Sequence, residues 1–328
     1  MQTRTLGRSG RSVSVIGLGT WQLGSDWGVV AEADATGVLA ASVDAGVTFF
    51  DTADVYGDGR SEQLIGHFLA HDAPGESVTV ATKMGRRVAQ LPENYVLRSF
   101  REWTDRSRRN LGTDTLDLVQ LHCAPSAVLE SGEVYDALDT LAAEGVLAAY
   151  GVSVETCAQA LTAIARPGVA TVQIILNAFR LKPLDEVVPA ARAAGVGIIA
   201  RVPLASGLLA GRYRADTTFA ANDHRTFNID GSRFDVGETF SGVNYPVGLA
   251  AAAEFAALVP AGMTPAQAAL AWVAQIDGVS AVIPGARSIA QALSNAAAGV
   301  AEPLGLEFNQ GVQDIYDRLL RADIHPRW

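Results

Sequence analysis

Eight short apolar or β-branched runs, each followed by a longer amphipathic or alanine-rich stretch, leave this 328-residue chain few folds to choose from. The runs occupy 14–19, 47–52, 78–83, 117–122, 147–154, 171–176, 196–201 and 281–284. Helix-like segments fall between them at 33–45, 61–71, 95–111, 133–144, 155–165, 185–194 and 265–276. Strands separated by helical crossovers build a parallel sheet, because each crossover returns the chain to the same end of the sheet. Eight such units fit a closed (β/α)8 TIM barrel, and barrels reach this length as one domain, so residues 1–328 are expected to form a single barrel. The competing open doubly wound sheet lacks its phosphate-binding signature, since no GxGxxG follows any of the runs.

Two segments fall outside the repeat. TRTLGRSGRSVSV (3–15) reads as a β-hairpin turning around Gly7–Gly10, placed to plug the barrel floor. Residues 212–246 are rich in Asp, Asn, Gly, Thr and Phe, and they follow the seventh strand. An extra loop there lies on the active-site face of a barrel, and it is expected to act as a lid.

Charge and composition exclude several classes of function. The formal net charge of −10 repels phosphate backbones and anionic lipid, which argues against nucleic-acid and membrane partners. Cys123 and Cys157 are too few for a disulfide framework and lack metal-site spacing, so no metal is expected. No apolar run has the length of a signal core or a membrane span, and the cytoplasm is the expected location. Lys83 and Lys182 are the only lysines.

Polar residues at strand ends carry the chemistry, because barrel enzymes place catalytic groups where strands give way to the following loops. The second strand ends in Asp51, with Tyr56 five residues on; the third ends in Lys83 and the fourth in His122. Singly, each has an ordinary reading as a cap, a packing group, a solvated cation or a loop ligand. Together, at three successive strand ends, they suit carbonyl reduction, in which a carbonyl oxygen acquires charge and needs a proton donor and oriented dipoles. Tyr56 is the candidate donor. A lysine ammonium about 4 Å away, at an effective dielectric near 20, contributes about 4 kcal/mol. That would bring a phenol from about 10 toward 7. Lys83 is expected to supply that charge, Asp51 to keep the buried ammonium charged, and His122 to orient the carbonyl. A serine-hydrolase reading fails because no GxSxG elbow accompanies the histidine.

The motifs GLGTW (17–21), FFDTADVYGDGRSEQLIG (49–66), ATKMG (81–85), LDLVQLH (116–122), GVS (151–153), VQIILN (172–177), PLASGLLAG (203–211) and IPGARS (283–288) occur in one order along the chain. In that order they resemble the aldo-keto reductases from about residue 3 to 298. The resemblance implies NADPH as cofactor, a small-molecule carbonyl substrate, and catalysis by Asp51, Tyr56, Lys83 and His122. It further implies Gly19, Thr20 and Trp21 near the nicotinamide, with Ser153 and Gln173 on its carboxamide. Pro203, Leu204, Ser206, Leu208 and Arg212 would hold the pyrophosphate, and Gly285, Arg287, Gln291 and Asn295 the adenosine end. Two positions depart from the family pattern. Arg201 stands where many members stack an aromatic ring on the nicotinamide, a place a planar guanidinium can also fill. Val154 replaces an asparagine and removes one polar contact. A sugar or polyol dehydrogenase using NAD(P), and a non-catalytic NADP(H)-binding regulatory subunit, are the alternatives; monomer and homo-oligomer remain equally open. Trp21, Trp27, Tyr56, Phe227, Phe234, Phe240 and the IHPRW segment are candidates for an apolar wall beside the site.

Overall fold

The computed structural model describes residues 1–24, 30–73, 75 and 77–328. Strands β1 (Thr3–Thr5) and β2 (Ser12–Ser14) pair antiparallel as the expected hairpin. The eight that follow are β3 (Leu18–Gly19), β4 (Phe49–Asp51), β5 (Thr79–Met84), β6 (Leu118–His122), β7 (Tyr150–Ser153), β8 (Val169–Ile175), β9 (Gly197–Arg201) and β10 (Val279–Val282). They lie side by side in sequence order. Parallel bridges Ile16↔Val282 and Gly19↔Gly285 join the first to the last and close the sheet. The Gly17 amide donates to the Val282 carbonyl at 2.8 Å, and the Val282 amide to that of Val15 at 2.9 Å. The architecture is the (β/α)8 barrel.

Helices cover the outside of the barrel near the expected positions, among them Glu32–Asp44, Arg60–His71, Leu97–Leu111 and Pro265–Ala274. Thr264 and Gln267 cap the last of these reciprocally, with proline at its first position, satisfying amides that would otherwise be orphaned. Beyond these lie helices Tyr245–Leu258, Ile289–Ala297 and Gly305–Ile315. No helix among the described residues is long and apolar enough to cross a membrane.

The hairpin does plug the floor. Leu6 and Val13 are fully buried in a cluster with Phe49, Leu118, Ile199 and Ile283, where small residues such as Ala81, Ala170 and Ala281 leave them room. The turn comes so close to the barrel that a Cβ at Gly7 would lie 2.1 Å from the Ala170 carbonyl oxygen, and its φ of +51° also favours glycine.

At the opposite end, the segment after β9 folds back over the strand ends through short helical turns at His224–Phe227, Val236–Glu238 and Phe240–Gly242. Asn228 and Ser241 anchor it, both fully buried. The Asn177 amide donates to Ser241 Oγ at 2.7 Å. Trp328 lies behind this segment: its indole N–H donates to Asp235 Oδ1 at 3.0 Å, and the buried Arg180 guanidinium stacks 3.8 Å from its ring.

Candidate active site

Asp51, Lys83 and His122 end or nearly end β4, β5 and β6, so the parallel register brings them to one rim. Lys83 Nζ donates to Asp51 Oδ1 at 2.5 Å, to the Thr52 carbonyl at 2.8 Å and to the Tyr56 hydroxyl at 3.3 Å. The other Asp51 oxygen accepts from Gln173 at 2.7 Å and from Gln120 at 3.3 Å. Tyr56 reaches the ammonium because the chain turns sharply after it: Gly57, Asp58 and Gly59 all take positive φ. The non-glycine member of that turn is held by Arg87 and Arg106, each of which pairs with Asp58. His122 completes the group, its ring edge-on to that of Tyr56 at 6.0 Å.

Charge states follow from this packing. Burial lowers the Lys83 ammonium, but Asp51 and then Tyr56 together outweigh it and hold its pKa above the ordinary lysine value. Burial raises the Tyr56 phenol above 10, ahead of the opposing effect of Lys83. This corrects the expectation that Lys83 alone brings the phenol toward neutrality: Asp51 and Glu238 offset the ammonium, and the ring is desolvated. His122 is held well below 6.5, first by burial and then by Arg86, Lys83 and Arg201, so it is a neutral imidazole. Its Nδ1 is buried without a hydrogen-bond partner among the described residues.

From Tyr56 a cavity of about 740 Å³ runs across the rim to the start of the helix at Ile289. Gly19, Thr20, Trp21, Asp51, Gln173, Arg201, Pro203, Leu204, Ser206, Arg212, Gly285, Arg287, Gln291 and Asn295 all line it. Lys83, His122, Ser153 and Leu208 do not: Lys83 and His122 are buried beside Tyr56, Ser153 is buried with its hydroxyl 3.5 Å from Gln173 Oε1, and Leu208 is buried against Gly248. Between them, Val202, Ala205 and Ser206 adopt left-handed φ of 53°, 47° and 54°. Such strain survives only where the surroundings impose it. Here Ser206 Oγ donates to the Glu238 carbonyl and accepts from the Phe240 amide.

The match to the aldo/keto reductase family model spans residues 15–317. The chain belongs to the aldo/keto reductase family. An uncharacterized oxidoreductase of Mycobacterium tuberculosis is 34% identical over 294 residues, covering 87% of this chain and 84% of the relative. The glycerol dehydrogenase of Gluconobacter oxydans superposes with a TM-score of 0.78 at 28% identity, covering 97% of this chain and 96% of that one. An aldo-keto reductase from Klebsiella pneumoniae in complex with NADPH gives 0.69 at 26% identity, covering 96% of each chain.

In this family member, Arg201 is engaged in a way its sequence position does not reveal. Its guanidinium donates to Glu155 Oε2 at 2.7 Å and to the Val154 carbonyl at 3.1 Å, and lies 3.7 Å from Glu238 Oε1. Arg201 is therefore an ion-paired cation, and the backbone of Val154 helps hold it. Arg86, Glu155 and Glu238 were missed by the sequence reading, as was Gln120. Gln120 was findable, being two residues before His122 on the same face of a strand.

The aromatic wall is present in part. Trp21 stacks on Tyr56 at 6.1 Å and meets His224 at 5.3 Å and Phe234 at 5.9 Å, while Phe227 packs edge-on to Phe234. Phe240 instead packs behind the cavity with Tyr213, Phe219 and Tyr245. Trp27 lies outside the described residues, and Trp328 supports the covering segment without lining the cavity.

Proposed function

We propose that this chain is a cytoplasmic, single-domain reductase of small aldehydes or ketones that uses NADPH. The carrying observation is one cavity with Tyr56, paired to Lys83 and beside His122, at one end and Arg287 with a capped helix start at the other. Its volume lies within the range of small-molecule and cofactor sites. The residues fit a dinucleotide: the left-handed turn at 202–207 brings backbone to the cavity wall, and the capped helix beginning at Ile289 would present its positive end to an anion there. Gly19, Trp21, Gln173 and Arg201 would hold the nicotinamide end, Pro203, Leu204, Ser206 and Arg212 the pyrophosphate, and Arg287, Gln291 and Asn295 the adenosine end. When bound, the cofactor supplies the hydride.

The chain's own groups handle the proton. Tyr56 donates its hydroxyl proton to the carbonyl oxygen, and Lys83 lies within hydrogen-bond distance to stabilise the phenolate left behind. Asp51, fixed by three donors, keeps the ammonium charged and in place. Neutral His122 donates a hydrogen bond that orients the carbonyl. NADPH consumption over a panel of aldehydes, ketones, sugars and sugar phosphates tests the reading, and tight NADPH binding without turnover on any of them would overturn it.

The raised phenol dictates a pH profile. Reduction requires protonated Tyr56, so kcat/KM for reduction should stay level through neutrality and fall only at alkaline pH, beyond the ordinary phenol range. Alcohol oxidation requires the phenolate and should climb over the same range. A reductive limb falling between pH 6 and 8 would assign the proton to another group.

Arg287 is exposed at the cavity edge, and its amide donates to Gln291 Oε1 at 2.8 Å. A guanidinium there suits the 2′-phosphate that distinguishes NADP from NAD. Arg287→Ala should weaken NADPH about ten- to a hundredfold, the loss expected for one charge-assisted contact, and leave NADH nearly unchanged. Fluorescence titration with both dinucleotides separates the outcomes; equal losses would remove the arginine from phosphate recognition.

A further inference from the structure

Four charged side chains meet beside the Tyr56 end of the cavity. Arg86 follows β5, Glu155 follows β7, Arg201 ends β9, and Glu238 belongs to the segment that folds over the rim. Glu155 bridges the two arginines from the barrel side, Oε1 to Arg86 at 3.3 Å and Oε2 to Arg201 at 2.7 Å. Glu238 closes the square with a single oxygen, its Oε1 lying 3.2 Å from Arg86 and 3.7 Å from Arg201. All four side chains are largely buried, so their charges are only weakly screened by solvent. Arg201 and Glu238 line the cavity; Arg86 and Glu155 lie behind them.

The two glutamates differ in kind. Glu155 is a wall residue that keeps the guanidinium groups charged and oriented. Glu238 arrives from outside the barrel and presents one carboxylate to a pair of guanidinium groups, the arrangement in which such a pair would otherwise hold a carboxylate or phosphate from a ligand. We propose that Glu238 is a specificity-determining residue: by occupying Arg86 and Arg201 it closes the substrate end of the cavity to carbonyl compounds that carry a carboxylate or phosphate. This rests on the reading of the cavity as a carbonyl-reducing site. A neutral substrate meets two cations already matched by two anions, whereas an anionic one meets the Glu238 carboxylate, which already occupies both guanidinium groups at this end of the cavity. Removing that carboxylate leaves two guanidinium groups facing one anion.

The segment carrying Glu238 is held independently of the ion pairs. Asp235 accepts from the Trp328 indole and caps the Val236–Glu238 turn, and Ser206 ties the Glu238 carbonyl to the Phe240 amide. Glu238→Gln therefore changes charge while keeping size and most of the segment's anchors. Kinetics with benzaldehyde and 4-carboxybenzaldehyde, and calorimetric binding of terephthalate to the protein without cofactor, test the proposal in wild type, Glu238→Gln and Glu238→Asp. In Glu238→Gln the preference for the carboxylated aldehyde should rise about tenfold or more, and terephthalate binding should appear and weaken with salt. Glu238→Asp, which restores the charge, should return toward the wild-type ratio. An unchanged ratio in Glu238→Gln, equal loss of both activities in a folded protein, or terephthalate binding as tight in wild type would each overturn it. The calorimetric arm stands even if neither aldehyde is turned over, which separates failure of this proposal from failure of the reductase reading.

Discussion

Replacing Tyr56 with phenylalanine is expected to lower carbonyl-reducing turnover by about 10²–10⁴-fold, the range for a lost general acid. The change removes one oxygen and leaves the ring packed on Trp21 and beside His122. Neither Lys83 nor His122 can take over the proton. Lys83 is committed to Asp51 and the Thr52 carbonyl with its pKa raised, and His122, held well below its ordinary pKa by burial, carries no imidazolium proton near neutrality. Because the cavity wall toward Arg287 is untouched, dinucleotide affinity should be nearly unchanged. Single-turnover reduction and a fluorescence titration on the same preparation measure the two quantities, and near wild-type turnover would remove Tyr56 from the mechanism.

Lys83→Met is expected to cost about 3–5 kcal/mol of folding stability, the usual penalty for breaking a buried pair by removing one partner. Asp51 and Lys83 are both almost wholly inaccessible, at 2% and 1% exposure. Without the ammonium, the Asp51 carboxylate keeps only the neutral amide donors of Gln173 and Gln120. Methionine fills most of the volume, so the deficit is electrostatic rather than a cavity. The double variant Lys83→Met with Asp51→Asn should recover much of the loss. Urea denaturation of wild type, the single variant and the double variant gives the result, and a deficit in the single variant that the second substitution does not relieve would mean that packing, not charge, is at stake.

The strand periodicity made the barrel legible, because parallel strands buried on both faces read as short apolar runs even where the paired segment is shorter. Observed β3 is only Leu18–Gly19 within the expected 14–19, since it joins β10 through isolated bridges rather than a full ladder. The helix Tyr245–Leu258 was not legible: its alanine-rich sequence has no clear polar face to mark a period. Asp51, Lys83 and His122 could be read because polar groups at strand ends converge by topology alone. The Arg86, Glu155, Arg201 and Glu238 square could not, because it joins three separate strand ends to an aperiodic segment, and nothing local in a sequence records such a meeting. The Tyr56 direction was misjudged for a related reason: one cation was weighed without the desolvation and counter-charges that surround it in space.

The barrel's seam has a consequence for how the chain reaches this structure. From β4 to β10 each strand pairs with the one made just before it, so those ladders can zip in order of synthesis. The seam joins Ile16 and Gly19 to Val282 and Gly285, and the floor hairpin is fastened to the same late region, with Arg4 donating to the Ile276 and Val279 carbonyls and Ser280 Oγ to that of Thr5. These contacts have nearly the largest sequence separation the chain allows, and loop-closure entropy makes such contacts slow to form. Until β10 arrives, β3 lacks its closing neighbour and the apolar floor residues Leu6 and Val13 lack part of their cover. The nascent chain therefore carries these uncovered apolar groups from the making of β3 until β10 is complete, so yield of soluble protein should depend on temperature and chaperone supply more steeply than the packing of the finished barrel would indicate.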